Sequence, residues 1–350
     1  MKKCLELAKK GMGLVSPNPM VGCVVLDKNG KEISNGYHHK YGENHAERDA
    51  LLKVDKKQTQ NGTLIVNLEP CTHYGKTPPC VDLIIEMGIK TVVIGMRDVN
   101  PVVAGNGVNK LKSCGIEVIE GVLEKESNEL NEVFKKNMTK HECFVALKTA
   151  TTLDGKIATK TGHSKWITSE KSRKKGKQLR KMYDAVLTTA STVIADNPEF
   201  NCNKKILIDR TLKTDLSYKY FKTGEIFIAT CVENLPQNQS NIKYIKCNQT
   251  DNKLDLDDLF HKLYEMNIMS VFIEAGGILN GELINKDLVD KIYQFVSMKI
   301  LGDDFGKSVF SGRNITDIND CKNFKISSIE KIDNDILLTL INDNFSNYFL

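Results

Sequence analysis

Segments with strand character and segments with helix character alternate along this chain, and the alternation stops and begins again once. Up to about residue 142 the segments are, in order, 2–12 (helix), 21–27 (strand), 46–54 (helix), 62–68 (strand), 81–88 (helix) and 91–95 (strand). A long polar helix that ends near His141 closes this part. Strands that alternate with helices predict a sheet whose faces are covered by helices.

The same pattern begins again at Cys143 with a strand, a turn at Asp154-Gly155 and a basic helix over 169–184. Further strands are predicted over 185–192, 205–209, 225–230 and 270–276, and further helices over 256–267 and after Gly277. A chain of 350 residues exceeds what one hydrophobic core usually organises. We therefore expect two α/β domains, residues 1–142 and 143–350.

Composition narrows the classes of function. The chain is 41% hydrophobic and 27% charged, with no apolar run long enough to cross a bilayer. Its net charge of +5 is small for this length, which favours a small anionic substrate over nucleic acid or a membrane as partner. The ten cysteines are scattered, without the dense spacing of a disulfide scaffold, so we expect a cytoplasmic protein whose close Cys and His residues bind metal.

One stretch, residues 45–80, concentrates the residues that can do chemistry: His45, Glu47, Cys71 and Cys80. Zinc takes about four ligands, and a catalytic site leaves one position for water. His45 and the two cysteines supply three ligands, which leaves one position open. Glu47, at the start of a helix, can move protons without binding the metal. Zinc deaminases divide the work in this way, with H-x-E and P-C motifs.

Two other interpretations of this stretch remain open at this stage. Zinc could only hold the fold together, with His73 as its fourth ligand, or the four residues could be unconnected. The structural-zinc interpretation leaves Glu47 without a task. Eight residues separate the two cysteines, and Pro78-Pro79 can open a helix, so Cys80 is predicted at a helix start below a loop that lies over the site.

The second half carries a weaker signal of its own. Gly276-Gly277 follows a predicted strand and opens a helix whose N-terminal amides could hold a phosphate. The segment does not match G-x-G-x-x-G, and a glycine pair at a strand end is more often a tight turn.

Motifs along the whole chain resemble one family. SPNPMVGCVV (16–25), HAERDAL (45–51), EPCTHYGKTPPC (69–80) and MRDVNPVVAGNGVNKLKSCGIEV (96–118) are similar to the deaminase half of the bifunctional riboflavin biosynthesis proteins of the RibD family, and the long loop ending in T-P-P-C makes the match specific. LKTATTLDGKIAT (147–159), SKWIT (164–168), STVIADNPEF (191–200) and FIEAGGILNGEL (272–283) resemble the reductase half. The resemblance implies a cytidine-deaminase-like α/β/α sandwich followed by a dihydrofolate-reductase-like α/β domain.

For the first half, the resemblance implies hydrolytic deamination of 2,5-diamino-6-ribosylamino-4(3H)-pyrimidinone 5′-phosphate, with one zinc ion per chain and Glu47 as proton donor and acceptor. Asn18, His73, Lys76 and Thr77 would contact the substrate. Asp98, Asn100 and Gly105–Gly107 would line its ribose-phosphate side. A turn role is the alternative for Asn18, which lies between two prolines, and a surface turn is the alternative for the 98–107 group.

For the second half, the resemblance implies NADPH-dependent reduction that opens the ribose to a ribityl chain. The residues expected to contact NADPH are Ala150, Trp166, Thr192, Asp196, Gly276, Gly277, Ile278, Leu279, Asn280, Gly281 and Glu282. Those expected to contact the substrate are Ser164, Arg180, Phe200, Asn203 and Glu274. Lys148 and Asp154 are the polar groups that we expect near the reacting ring. Trp166 could instead be a core residue, Asp154 a turn residue, and Arg180 one more solvated cation of a basic helix.

One position departs from the family pattern. After DNPEF the family carries an arginine, whose fork suits a phosphate. This chain has Asn203, followed by Lys204 and Lys205. A lysine could take over the phosphate as a point charge, or phosphate binding could be weaker here. Arg210, near a strand end, is a further candidate for the 2′-phosphate of NADPH.

The resemblance also suggests a homodimer or a larger assembly of identical chains. Two other classes of function predict different features. A nucleic-acid deaminase would need a strongly basic second domain, for which only the cluster at 171–181 is available. A binding protein with a structural zinc would lose nothing when Glu47 is changed.

Overall fold

A computed structural model describes residues 1–100 and 104–343. The last residues of the predicted second domain, 344–350, lie outside the described residues. The chain divides into two compact units, one formed by Met1–His141 and one that begins at Glu142.

The first unit is a five-stranded sheet with helices on both faces. Its strands are β1 (Gly22–Leu26), β2 (Glu32–Tyr37), β3 (Thr63–Leu68), β4 (Thr91–Met96) and β5 (Glu117–Ile119). Its helices are α1 (Lys2–Ala8), α2 (Ala46–Leu51), α3 (Lys56–Thr59), α4 (Cys80–Glu86), α5 (Asn106–Ser113), α6 (Glu124–Leu130) and α7 (Glu132–Lys140). The strand order is β2-β1-β3-β4-β5, with β2, β1 and β3 antiparallel and β3, β4 and β5 parallel.

The alternation of side chains along β1 explains the two helical layers. Cys23 and Val25 face a core shared with residues of α2, α4 and α5, whereas Val24 packs with Cys4 and Leu7 of α1 on the opposite face. Because successive side chains of a strand point to opposite faces, a fully apolar strand needs cover on both. The predicted α/β/α sandwich is confirmed.

Two local predictions in this unit were incomplete. The single polar helix expected before His141 is two helices, α6 and α7, with a break at Asn131. The Asn131 side chain is buried, and it bonds both the backbone N–H and the backbone C=O of Met20. This tertiary bond competes with helix continuation. Strand β2 was not predicted, because its polar residues lie at an edge of the sheet.

The second unit is built on a nine-stranded sheet in the order β11-β10-β9-β8-β14-β6-β15-β18-β17. Its strands are β6 (Phe144–Thr151), β7 (Lys156–Ala158), β8 (Ala185–Thr189), β9 (Lys204–Ile208), β10 (Glu225–Thr230), β11 (Ile242–Lys246), β12 (Gln249–Thr250), β13 (Lys253–Leu254), β14 (Ser270–Ile273), β15 (Lys291–Ser297), β16 (Lys307–Ser308), β17 (Phe324–Ile332) and β18 (Asp335–Asn342). Its helices are α8 (Glu170–Arg180), α9 (Ala190–Asp196), α10 (Leu256–Glu265) and α11 (Gly277–Asn285).

Seven of the nine strands, from β11 to β15 in sheet order, run parallel, and β18 and β17 form an antiparallel hairpin at the edge. The strand predicted over 185–192 ends at Thr189, where the Thr189 hydroxyl accepts a bond from the Thr192 N–H and caps α9. The capping preference of Thr189 outweighs the β propensity of residues 185–192.

Among residues 1–100 and 104–343, the structure contains no helix with the length and apolar character of a membrane-spanning segment.

Candidate functional site

Three chain segments bring the predicted metal ligands together. His45 is the N-cap residue of α2, Cys71 lies in the loop after β3, and Cys80 opens α4. The His45 Nδ1 atom lies 3.5 Å from the sulfur of Cys71 and 3.5 Å from that of Cys80. All three donor atoms lie within 4.8 Å of one another. One imidazole and two thiols in this compact arrangement fit a tetrahedral zinc ion with one position left for a non-protein ligand.

The two thiols are hydrogen-bonded to each other, and their pKa values shift in opposite directions. Hydrogen bonding from Cys80, then from His45, lowers the pKa of the Cys71 thiol far below its usual value. The hydrogen bond with Cys71, together with burial, raises the pKa of the Cys80 thiol. His73 does not belong to the group of donor atoms, and its side chain is exposed. A closed structural zinc with His73 as fourth ligand therefore finds no support among the described residues.

Glu47 lies beside this group in the first turn of α2 and is 3% exposed. Burial raises the pKa of its carboxyl to about 7 in the metal-free protein. His45, the N-cap residue of α2, and Glu47 both line one cavity, which measures about 380 Å³. This is enough room for a single heterocycle with a substituent.

The cavity gathers most of the residues expected to bind the first substrate: Asn18, His73, Lys76, Thr77, Asp98 and Asn100. The hydroxyl of Thr77 is buried and has no hydrogen-bond partner. Gly105 and Gly107 do not line the cavity; they pack behind it against Glu69. Their predicted place on the ribose-phosphate side stays a prediction.

Sequence reasoning missed His38 and Glu69, which also line the cavity. His38 is buried; its Nδ1 lies 3.0 Å from the Asn44 carbonyl and its Nε2 lies 3.1 Å from Asn18 Nδ2. Because a carbonyl only accepts, Nδ1 carries the proton and Nε2 accepts from Asn18. Burial lowers the pKa of His38, which favours this neutral form. Asn18 is thereby held by a side chain rather than serving only as a turn residue.

In the second unit, the structure brings together four of the predicted residues: Lys148, Arg180, Phe200 and Glu274. The Arg180 guanidinium forms a two-pronged ion pair with the Glu274 carboxylate and lies over the Phe200 ring, 4.7 Å from its centre. Lys148 Nζ lies 3.7 Å from the same carboxylate. Burial alone would raise the pKa of Glu274, but the two cations lower it below its usual range. Arg180 is therefore not simply a solvated cation.

Ser164 and Trp166 line a smaller cavity of about 190 Å³ between the 152–167 segment and residues 299–301. Trp166 is 60% exposed, so the alternative of a core residue is wrong. The guanidinium of Arg173 lies over the Trp166 ring, 4.3 Å from its centre. The backbone carbonyl of Trp166 accepts a hydrogen bond from the Lys299 ammonium. An exposed, rigidly held indole is suited to stacking on a flat ligand ring.

The glycine pair at 276–277 opens α11, as expected. A Cβ on Gly277 would lie 2.1 Å from the Ser308 carbonyl oxygen, and one on Gly281 would lie 1.9 Å from that of Ser311, so these glycines allow close packing. The side chain of Asn280 is buried and donates a hydrogen bond to the Val309 carbonyl, whereas its own side-chain carbonyl oxygen lacks a partner.

The other predicted NADPH residues of this segment differ in exposure. Gly276 has open space around it and Ile278 is exposed. Leu279 packs against the core, and Glu282 pairs with Lys253.

The remaining predicted residues are spread along the second unit. Ala150 lies on β6, half-buried beside Phe295, and Thr192 and Asp196 lie on α9. Asp154 accepts bonds from the backbone N–H groups of Leu301 and Gly302, and hydrogen bonds from Thr152 and these amides lower its pKa. These bonds hold the turn and do not join Asp154 to the Glu274 cluster.

The departure at position 203 has a structural consequence. Asn203 is exposed, and Lys205 is buried, with its ammonium bonded to the Tyr220 carbonyl and the Thr223 hydroxyl. Lys205 is thus occupied inside the core and does not present its charge to a ligand. Of the two lysines considered as substitutes for arginine, only Lys204 remains. Arg210 is half-buried and donates to Gln249.

Comparison with known proteins assigns both halves. Residues 1–96 match the cytidine and deoxycytidylate deaminase zinc-binding region, and residues 143–338 match the RibD C-terminal domain. The chain is 39% identical to the riboflavin biosynthesis protein RibD of Actinobacillus pleuropneumoniae, over 97% of this chain and 94% of that protein. Among solved structures, it is similar to a diaminohydroxyphosphoribosylaminopyrimidine deaminase/5-amino-6-(5-phosphoribosylamino)uracil reductase from Thermotoga maritima, with 42% identity, a TM-score of 0.88 and coverage of 98% and 97% of the two chains. Acinetobacter baumannii RibD is 33% identical, with a TM-score of 0.87 and 97% coverage of both chains.

Proposed function

This chain belongs to the RibD family, the bifunctional deaminases and reductases of riboflavin biosynthesis, and from that premise we propose how its two halves divide the work. Residues 1–142 deaminate 2,5-diamino-6-ribosylamino-4(3H)-pyrimidinone 5′-phosphate to 5-amino-6-(5-phosphoribosylamino)uracil. Residues 143–350 then reduce the ribosyl group of that product with NADPH. The extents of the two family matches, 1–96 and 143–338, support this division.

The observation that carries the deaminase assignment is the position of Glu47. A buried carboxylate faces the same cavity as His45 and Cys71, which belong with Cys80 to a group of three metal ligands that leaves one position open. Zinc bound by His45, Cys71 and Cys80 supplies a Lewis acid that eases deprotonation of a water. A structural zinc would need neither the open position nor the buried acid.

Glu47 has the proton-transfer role. Its carboxylate takes a proton from the attacking water and delivers it to the ring nitrogen beside the carbon under attack. The second proton of the water then passes through Glu47 to the amino group, which leaves as ammonia while the carbon becomes a carbonyl. Atoms balance, since one water is consumed and one ammonia is released.

The cavity wall supplies orientation. Asn18, whose amide N–H is held by His38, presents its amide oxygen as an acceptor for a ring N–H or amino group. Lys76 carries a positive charge in the loop over the cavity, stacked 4.0 Å from the centre of the Tyr41 ring. A cation at this position suits the 5′-phosphate of the substrate.

In the reductase half, the Lys148, Arg180 and Glu274 cluster is the substrate side and Trp166 with the start of α11 is the NADPH side. Hydride transfer is the chemistry of NADPH itself, so the protein orients the two reactants and places charge. Glu274 holds Lys148 and Arg180 in fixed positions, and these cations are suited to the polar ring of the deaminated substrate. Asp154 has a structural role here, because it holds the turn next to residues 301–302.

The function is tested by giving zinc-loaded protein the diaminopyrimidinone substrate with NADPH, while ammonia and NADPH absorbance are followed in one tube. We expect ammonia to appear first and NADPH oxidation to follow.

A nucleic-acid substrate is not favoured. Three lysines of the basic helix α8, at positions 171, 174 and 175, pair with Asp333, Glu170 and Glu330 rather than forming an open cationic face.

We also infer that the protein is a homo-oligomer, a dimer or larger, that uses the β17–β18 hairpin. Ile326 and Ile329 on β17 are 61% and 64% exposed, and a β-bulge between residues 326 and 328 brings both to the face that carries Leu338 and Leu340. An apolar face of this kind favours cover by a second copy. Ile329→Lys should lower the sedimentation mass to that of one chain, and Lys331→Ser should leave it unchanged. An unaltered mass for Ile329→Lys contradicts this surface.

A cytoplasmic location agrees with the ten cysteines, none of which forms a disulfide. Cell fractionation with an antibody to the protein checks this location.

A further inference from the structure

Glu69 is a buried carboxylate that has no part in the chemistry assigned above. It follows β3 directly and precedes Pro70 and the metal ligand Cys71, and it is 4% exposed. Its own backbone N–H donates to the Met96 carbonyl, which fixes it between the ends of β3 and β4. An acidic side chain is almost never buried unless its oxygens are satisfied.

Three backbone amides satisfy this carboxylate. One oxygen accepts from the N–H of Asp98 at 3.1 Å and from that of Gly105 at 3.0 Å. The other oxygen accepts from the N–H of Val108 at 3.1 Å. Gly105 is the N-cap of α5, and it has no side chain with which to cap its own helix. Glu69 therefore caps α5 from another part of the chain, and its negative charge lies at the positive end of the helix.

The close approach of α5 to this segment is built into the sequence. A Cβ at Gly107 would lie 2.3 Å from the Pro70 carbonyl oxygen and 3.1 Å from a carboxylate oxygen of Glu69. Glycine at this position thus allows the helix start to lie against Glu69 and Pro70.

The amides that Glu69 binds belong to a wall of the cavity. Asp98 lines the cavity, and its carboxylate accepts from the N–H of Asn100, which lines it too. One side chain thus connects the segment that carries Cys71 to the segment that carries Asp98 and Asn100. If that connection is lost, the wall is free to shift while the metal ligands stay in place.

We propose that Glu69 is a positioning residue for the deaminase, which holds the Asp98–Asn100 wall at a fixed distance from the metal ligands and thereby sets the affinity for the substrate. This role rests on the proposed deaminase function. It assigns Glu69 to binding rather than to proton transfer, because both oxygens of its carboxylate accept hydrogen bonds from backbone N–H groups.

The test is Glu69→Gln. A glutamine has nearly the same shape but only one accepting oxygen, so at least one of the three amides then faces an NH2 group. We expect KM for the diaminopyrimidinone substrate to rise about tenfold, as for the loss of a hydrogen bond to a charged group. We expect kcat and zinc content to change little. In a Glu47→Gln background, which binds substrate without turnover, Kd should rise by the same factor.

Two further variants separate positioning from general damage. Gly107→Ala forces the start of α5 away from Glu69 and leaves the carboxylate intact, so it should raise KM in the same way; it decides the matter if Glu69→Gln does not fold. Asp55→Asn removes the acid of an exposed capping box on α3, outside the cavity, and should leave KM unchanged.

The proposal is overturned if folded, zinc-loaded Glu69→Gln keeps the KM of the unmodified protein, or if only kcat falls. An unmodified protein that releases no ammonia contradicts the proposed function, and with it this role. An active unmodified protein with an unaffected Glu69→Gln variant contradicts only the role of Glu69.

Discussion

Glu47→Gln should abolish ammonia release while the protein keeps its zinc. The glutamine side chain fills the same buried space next to Cys80, so the three ligands stay in place. It cannot take or give a proton, and loss of a general acid–base group costs roughly a thousandfold in rate. The measurement is ammonia release from the diaminopyrimidinone substrate, together with zinc content by metal analysis.

The second half of the chain provides an internal control for this variant. NADPH oxidation with the already deaminated substrate should continue at the unmodified rate, since Glu47 is not part of the reductase cluster. Glu86→Gln, which changes an exposed acid at the end of α4, should leave both activities intact. If Glu47→Gln releases ammonia at the normal rate, the zinc is structural and the deaminase assignment is wrong.

Glu274→Gln should produce the opposite result, with ammonia release retained and reduction lost. The Glu274 carboxylate is the shared partner of Lys148 and Arg180, and its removal leaves two cations in a poorly solvated site without a counter-charge. Loss of charge-assisted bonds to both cations should lower the rate of NADPH oxidation about a hundredfold. The substrate for this measurement is the deaminated ribosylaminouracil phosphate.

A matched control for Glu274→Gln is Glu225→Gln in the same unit. Glu225 also pairs with a lysine, Lys243, but both side chains are exposed to solvent, where such pairs contribute little. We expect no change in NADPH oxidation for this control. A Glu274→Gln variant that reduces the substrate normally would remove the cluster from the reductase site.

The three metal ligands could be predicted from the sequence, because metal binding requires particular residue types. His45, Cys71 and Cys80 have few other reasons to occur together, and Glu47 is explained by the same site. The alternation of helices and strands likewise predicted two helix-covered sheets, since one buried layer needs cover from another. It missed β2 at an edge of the first sheet and β11, β15, β17 and β18 of the second.

The supporting residues could not be predicted in this way. Glu69 and Asn131 act through bonds to backbone groups far away in sequence, and His38 acts through the Asn18 side chain. A single polar residue gives no sign of such a partner. Lys205 shows the reverse error. Its position after DNPEF suggested that it binds a phosphate, but it lies on β9 with its side chain directed into the core. Side-chain direction depends on strand register, which a lone lysine does not reveal.

The measurement that tests the central claim most directly is the ratio of ammonia released to NADPH oxidised when zinc-loaded protein is given the diaminopyrimidinone substrate. Our account predicts one ammonia for each NADPH at completion, with ammonia leading. Ammonia without NADPH oxidation would contradict the claim that the second half performs the next step, and NADPH oxidation without ammonia would contradict the order of the two steps.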